Sequence, residues 1–340
     1  MSLSPTGRTR LDWVDYAKGI CIFFVVMLHV NDLVENHVHA VGWLDYVVQF
    51  ARPFRMPDFF LIAGLFLPRV IERPWRHFVD SKILHFYYFY LLWMTTEFVL
   101  LDTRHILADG GGPAQLVRAY GAQLVNPSGS LWFIHILPVF FVVTRVTRNV
   151  PQWLVWAVAA ALQMLQPHTG WVVVDQFAAR YVYFYSGYAL AGSVLSGAAW
   201  AGLHPAVSRG YLAAWAVLNA ACVSAGWAAL PGVSLALGYA GAMAIVVLAV
   251  QLSALRGTVA LRFMGQHSLA IYLADYLVSV VVIRVFLPVL PDIGSVALIS
   301  SVTTIALALM LWRTALRTPL RFLYVRPVLL RIPVRDTRAR

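Results

Sequence analysis

The sequence predicts an all-α, polytopic membrane protein of about ten transmembrane helices with both termini cytoplasmic. Three observations carry this. The 340 residues are 60% hydrophobic and only 12% charged, with mean hydropathy +0.72, which is too apolar for a soluble domain. Apolar runs of membrane length recur along the whole chain. The basic residues sort to alternate loops between those runs.

Taken in order, the first span, near 17 to 35, follows Arg8 and Arg10 and has Lys18 at its start. The second, near 54 to 71, ends in a basic stretch with Arg69, Arg73, Arg76 and Lys82, after which the third runs near 83 to 101. The fourth, near 130 to 147, closes on Arg145 and Arg148 before the fifth, near 151 to 167. The sixth lies near 177 to 197, and the seventh, near 207 to 227, opens at Arg209. Arg256 and Arg262 separate the eighth, near 233 to 253, from the ninth, near 267 to 287. The tenth, near 293 to 313, leads into a basic tail. With the N-terminus inside, about twenty of the 26 Lys and Arg fall on the cytoplasmic side. Glu35, Asp45, Asp102, Asp109, Asp175 and Asp292 fall on the other.

That sorting accounts for the formal charge of +11 without a nucleic-acid partner, and the tail reads as a topology and lipid-headgroup signal. The two cysteines, Cys21 and Cys222, lie in predicted spans and support neither a disulfide framework nor a thiolate metal site. The first apolar run ends in Asn31-Asp32 rather than in small residues, so it reads as a retained helix and not a cleaved signal. With no repeat or linker apparent, residues 1–340 read as one transmembrane domain, with 1–16 an N-terminal cytoplasmic segment and 314–340 the basic tail. The largest expected loops, 36 to 53 and 102 to 129, face the non-cytoplasmic side.

The first span is the most informative. Lys18 and His29 are eleven positions apart, so they return to nearly one helix face, roughly 16 Å apart along the axis. Asp15, Ile22, Val25 and Asp32 complete that stripe. An ionisable side chain at membrane depth must find a partner, water or a task. For His29 the residues alone leave two readings, an interhelical hydrogen bond or acid–base chemistry. Asp32 is either an interfacial acid or the group that fixes the His29 tautomer. Asp58 and Glu97, in one layer with Arg52, Arg55 and Arg180, read as an interfacial ion-pair layer or as acceptor contacts. His37-Val38-His39 is too short to build a metal site, and Gly110-Gly111-Gly112 lacks the context of a phosphate loop.

Four motifs, in order along the chain, resemble the acyltransferase-3 family of bacterial inner-membrane O-acyltransferases. They are Asp15-x-x-Lys18-Gly19 with His29, Met56-Pro57-Asp58-Phe59-Phe60 running to Gly64, Leu131-Trp132-Phe133, and Gly265-Gln266-His267-Ser268-Leu269-Ala270-Ile271-Tyr272-Leu273. The sugar O-acetylase-like subgroup is the most similar. Three positions differ from the family pattern: Lys82-Ile83-Leu84-His85 stands where Arg-x-x-Arg is frequent, Ala63 where serine is common, and Asp275 where histidine is common.

The resemblance implies ten helices and transfer of an acyl group, usually acetyl, from cytoplasmic acyl-CoA to a hydroxyl of an extracytoplasmic or lipid-linked saccharide. His29 is then the expected general base, with Asp32 beside it. Lys18, Arg73, Arg76, Lys82 and His85 are the expected counter-charges for the CoA phosphates. The expected partners are acyl-CoA (acetyl-CoA), a glycan or glycolipid acceptor and membrane lipids, with no metal. The expected location is the bacterial inner membrane. A transporter or lipid-glycan flippase is the rival class, although repeated halves with broken helices in corresponding positions are not apparent.

Overall fold

The computed structural model describes residues 11–127 and 129–333. Arg8 and Arg10, Ser128 and the end of the basic tail at 334–340 lie outside the described residues. The fold is all-helical, with no strand among the described residues. Its α-helices in chain order are α1 (Asp12–Val38), α2 (Leu44–Leu65), α3 (Trp75–Phe78), α4 (His85–Glu97), α5 (Thr103–Ala108), α6 (Pro113–Val125), α7 (Trp132–Val146) and α8 (Gln152–Leu165). They continue with α9 (Val172–Ala189), α10 (Ala191–Leu203), α11 (Pro205–Ser224), α12 (Val233–Ser253), α13 (Val259–Gln266), α14 (Ser268–Phe286) and α15 (Ile293–Ala315). Five of these, α1, α11, α12, α14 and α15, are long and apolar enough to cross a membrane.

Several expected elements are corrected. The segment 36 to 53 is not a loop. After a left-handed turn at His39, with φ 55°, α2 begins at Leu44, well before the expected start of the second span. Asp45, Arg52, Arg55 and Asp58, with Pro53 and Pro57 inside the helix, kept its N-terminal half from reading as apolar. The segment 102 to 129 holds α5 and α6 rather than open loop. The single span expected near 177 to 197 is broken at Leu190, φ −103° and ψ 21°, into α9 and α10. A hydropathy window does not register a one-residue break. The third span is one turn longer at its start, where Val79–Leu84 is π-helical and leads directly into α4.

By internal contacts the chain forms two compact units where one domain was expected. The first comprises residues through Leu65 together with Ser186–Leu309, and the second Phe66–Tyr185 with Met310 onward.

In the first unit α1 is the central helix, packed by α2, α12, α13 and α14. Most of its residues are buried, polar Asp15 and Asn31 among them. Small residues let neighbours approach, as is usual between membrane helices. A Cβ added at Gly265 would run into the Asp15 carbonyl, and one at Gly19 into the Leu261 carbonyl, so α1 and α13 touch backbone to backbone. Arg262 pairs with Asp12 at 2.6 Å and Gln266 Nε2 donates to Asp15 Oδ2 at 3.2 Å, fixing the same crossing. On the other flank Phe24, Phe54, Phe50 and Trp215 form an edge-to-face chain of rings with centroids 5.0 to 5.9 Å apart.

The second unit has its own aromatic core. Phe140 on α7 meets Phe177, Tyr181 and Phe184 of α9 at 5.3 to 5.5 Å. The turn of chain before α4 is held to α7 by Arg145, which is 5% exposed, donates to the Arg73 carbonyl at 2.6 Å and stacks on Trp75 and Phe78. Beyond α15 the chain makes two short 3-10 turns, Pro319–Leu323 and Val328–Leu330, and lies as a strap on this unit. Trp93 Nε1 donates to the Leu323 carbonyl at 2.9 Å and Tyr88 Oη to the Phe322 carbonyl at 2.7 Å. Arg326 clasps the strap: Nη1 donates to the Asp80 carbonyl at 2.8 Å and Nη2 to the Asp80 carboxylate, which also accepts the Ile332 N–H at 2.8 Å. Burial pushes the Asp80 carboxyl up, but the Ile332 N–H, the Arg326 guanidinium and the Arg331 charge outweigh it and hold the group below its usual range.

Candidate active site

The contact between α1 and α13 sets the position of the central pair. From the crossing at Gly19 and Gly265, α1 runs ten residues to His29, and the other chain turns at His267 into α14 and runs ten residues to Asp275. Equal rises bring the two side chains to the same level. His29 Nδ1 lies 2.7 Å from Asp275 Oδ2, with the carboxylate fully buried and the imidazole side chain 17% exposed. A carboxylate can only accept, so the bond fixes the proton on Nδ1 and leaves the Nε2 lone pair outward. Asp275 Oδ1 has no hydrogen-bond partner among the described residues.

The acid on the His29 ring is therefore Asp275, not Asp32. Asp32 is exposed one turn further along α1, in an electrostatic neighbourhood shared with His29, Arg55, Glu35 and Asp45. The expected interfacial layer around Asp58 is also revised. Asp58 is fully buried, accepts a hydrogen bond from the Cys21 thiol, and leaves Oδ1 without a partner among the described residues. Because α2 starts at Leu44, Asp58 falls well inside the helix rather than at its end. Asn31 is likewise fully buried with neither amide atom partnered among the described residues.

Lys18 is half-buried on α1 in the first unit, whereas the other expected donor-site cations belong to the second. There, Arg73 Nη1 lies 2.6 Å from His77 Nε2, Arg76 is exposed, Lys82 Nζ sits 4.6 Å from the Phe141 ring centroid, and His85 stands edge-on to Phe86 and Phe89. Among the described residues no group of three or more His, Cys, Asp or Glu is arranged to hold a metal ion.

Residues 11–313 match the family model described as an acyltransferase domain. The chain belongs to the acyltransferase-3 family. Inner membrane protein YcfT of Escherichia coli (strain K12) is 26% identical over 156 residues, which is 39% of this chain and 43% of that protein. No solved structure gives a significant match.

Two residues with partners far along the chain escaped the sequence. Asp275 lies 246 positions from His29, and it first read only as a departure from the family pattern. Its signal was available: a lone carboxylate in a 19-residue apolar helix needs a partner, and the His29 imidazole within the apolar run of α1 was the matching need. Arg145 read as a topology marker on its loop, and nothing in its neighbours along the chain announces the stacking on Trp75.

Proposed function

We propose that this membrane acyltransferase carries an acyl group, acetyl in the first instance, from cytoplasmic acyl-CoA to a hydroxyl of an extracytoplasmic or lipid-linked saccharide. The observation that carries the reading is the 2.7 Å bond between His29 Nδ1 and buried Asp275. In the transfer the hydroxyl oxygen attacks the thioester carbonyl carbon while Nε2 of His29 takes its proton. Collapse of the tetrahedral intermediate breaks the C–S bond, and the imidazolium returns the proton to the leaving thiolate, releasing free CoA. Asp275 holds the ring and balances the imidazolium charge, the part a buried carboxylate plays behind a catalytic histidine. Asp32, exposed beside the ring, adds negative field at the same place.

On the donor side Arg73, Arg76 and Lys82 of the second unit supply counter-charge to the nucleotide phosphates. Supporting this reading, the family match runs through both compact units, as expected if 1–340 act as one transmembrane domain. The parallel course of α1 and α14 agrees with their places as first and ninth of ten spans with cytoplasmic termini. The inner-membrane name of the Escherichia coli relative supports a bacterial inner-membrane location.

The test is the fate of the acyl label. In sealed, oriented vesicles, acetyl-labelled acetyl-CoA offered on the cytoplasmic face is expected to leave its label as an ester on saccharide confined to the other face, with free CoA behind. His29→Ala vesicles should lose that signal. Transit of unmodified saccharide with no ester formed would instead establish a flippase.

A further inference from the structure

Within the second unit three polar side chains carry buried atoms that nothing among the described residues satisfies. They are His135 Nδ1 on α7, and Gln176 Oε1 and Arg180 Nε on α9. His135 is 5% exposed and touches only rings, with centroids 5.4 Å from Tyr87 and 4.5 Å from Tyr90 of α4. Arg180 lies over the Trp132 ring at 5.4 Å and makes no ion pair or hydrogen bond among the described residues. The acid of its own helix, Asp175, is committed elsewhere, accepting the Thr169 N–H at 2.8 Å and the Gly170 N–H at 3.3 Å.

Helix periodicity brings these groups to one place. At about 100° per residue His135 stands roughly 60° to one side of Trp132 on α7, and Phe140 roughly 80° to the other. His135 meets α4 and Phe140 meets α9, so Trp132 faces the angle between those two helices. Gln176 and Arg180 are four apart and share one face of α9. Trp132, Gln176 and Arg180 are each partly exposed, and His135 lies deeper. The ends of the site are pinned: Asn126 Oδ1 accepts the Val172 N–H at 2.7 Å at the start of α9, and Tyr90 Oη donates to the Gln123 carbonyl.

Buried polar atoms without partners cost stability, and a guanidinium in a membrane bundle costs the more when no anion answers it. Water can satisfy an amide or an imidazole but leaves the charge unbalanced. An aromatic face beside an amide, an imidazole and an unanswered guanidinium suits a ring that carries hydroxyls and one negative group.

We propose that Trp132, His135, Gln176 and Arg180 bind an anionic saccharide, with its carboxylate or phosphate on Arg180 and its hydroxyls on Gln176 and His135. That this saccharide is the acyl acceptor rests on the transfer reading above.

The test uses the full chain in phosphatidylcholine nanodiscs, with affinities from saturation-transfer NMR for methyl glucuronide, glucose 6-phosphate and the neutral methyl glucoside. At least one anionic probe is expected to bind about tenfold more tightly than methyl glucoside, and the tighter of the two identifies carboxylate or phosphate as the group held. Arg180→Gln should erase that preference yet melt no lower than wild type, because it removes a charge with no protein partner. His135→Phe should weaken all three probes alike. Phenylglyoxal labelling of Arg180 in wild-type protein, read by mass spectrometry, should be slowed by the preferred anionic probe and not by methyl glucoside. Equal affinity for the three probes overturns the site, as does a preference that survives Arg180→Gln or labelling that no probe slows. The transfer reading fails separately: anionic preference with no ester formed in the vesicle assay keeps the site and removes its role as acceptor site.

Discussion

An added Cβ on Gly265 would sit 2.8 Å from the amide nitrogen of Gly19, so the backbones of α1 and α13 meet there with no side chain between them. The His29–Asp275 pair depends on that meeting, since each partner stands ten residues beyond it on chains running the same way. Gly265→Ala would drive a methyl into the Asp15 carbonyl, which is backbone and cannot swing aside. The expected cost is about 1 to 3 kcal/mol of stability. Because the shift propagates to the dyad, transfer activity should fall further than the loss of folded protein explains. Thermal melting and acyl transfer measured on the same preparation check this, and activity that tracks folded protein alone would separate the crossing from the site.

The dyad itself predicts non-additive losses. Asp275→Asn keeps the shape of the side chain but cannot balance an imidazolium, and transfer should fall by roughly two to four orders of magnitude. His29→Gln should fall at least as far, and the double variant no further than the worse single one, since both changes disable one device. Rates of ester formation in the three variants form the cycle. Multiplying losses would mean that the two residues act apart.

How much of this was legible in the sequence depends on distance along the chain. The all-helical class and five strongly apolar helices followed from hydropathy, and α12 matches its expected bounds of 233 and 253. His29 was marked by its own unfavourable solvation, whatever its partner. What hydropathy missed was carried by charge: α2 hid behind Arg52, Arg55 and Asp58, of which Arg55 and Asp58 are buried in the bundle while Arg52 is exposed. Asp275 and the Arg326–Asp80 clasp were missed because each joins residues 246 apart, which no periodicity encodes.

Cys21 and Asp58 offer a test of the buried polar core of the first unit. Cys21→Ala removes the one hydrogen-bond donor among the described residues on a fully buried carboxyl, with an expected loss of about 1 to 3 kcal/mol. Cys21→Ser keeps a donor and should recover most of it. Midpoints of thermal unfolding in detergent rank the variants, and a stability order with serine below alanine would remove the hydrogen bond as the cause.

The strap predicts an acid-side opening whose direction follows from Asp80. Its folded-state pKa is held below the unfolded value near 3.9, so its contribution is fully present above that value and is lost as pH falls through the folded one. The Ile332 amide should therefore be strongly protected from hydrogen exchange at neutral pH, and its protection, relative to the intrinsic rate at each pH, should fall below about pH 4. Asp80→Asn mimics the protonated carboxyl at every pH. It removes the charge that Arg326 answers, so the Ile332 amide should exchange fast at pH 7 and trypsin should cut after Arg331 while the rest of the chain stays intact. Slow exchange and resistance to trypsin in that variant would show that the backbone contacts of Trp93 and Tyr88 hold the strap without the clasp.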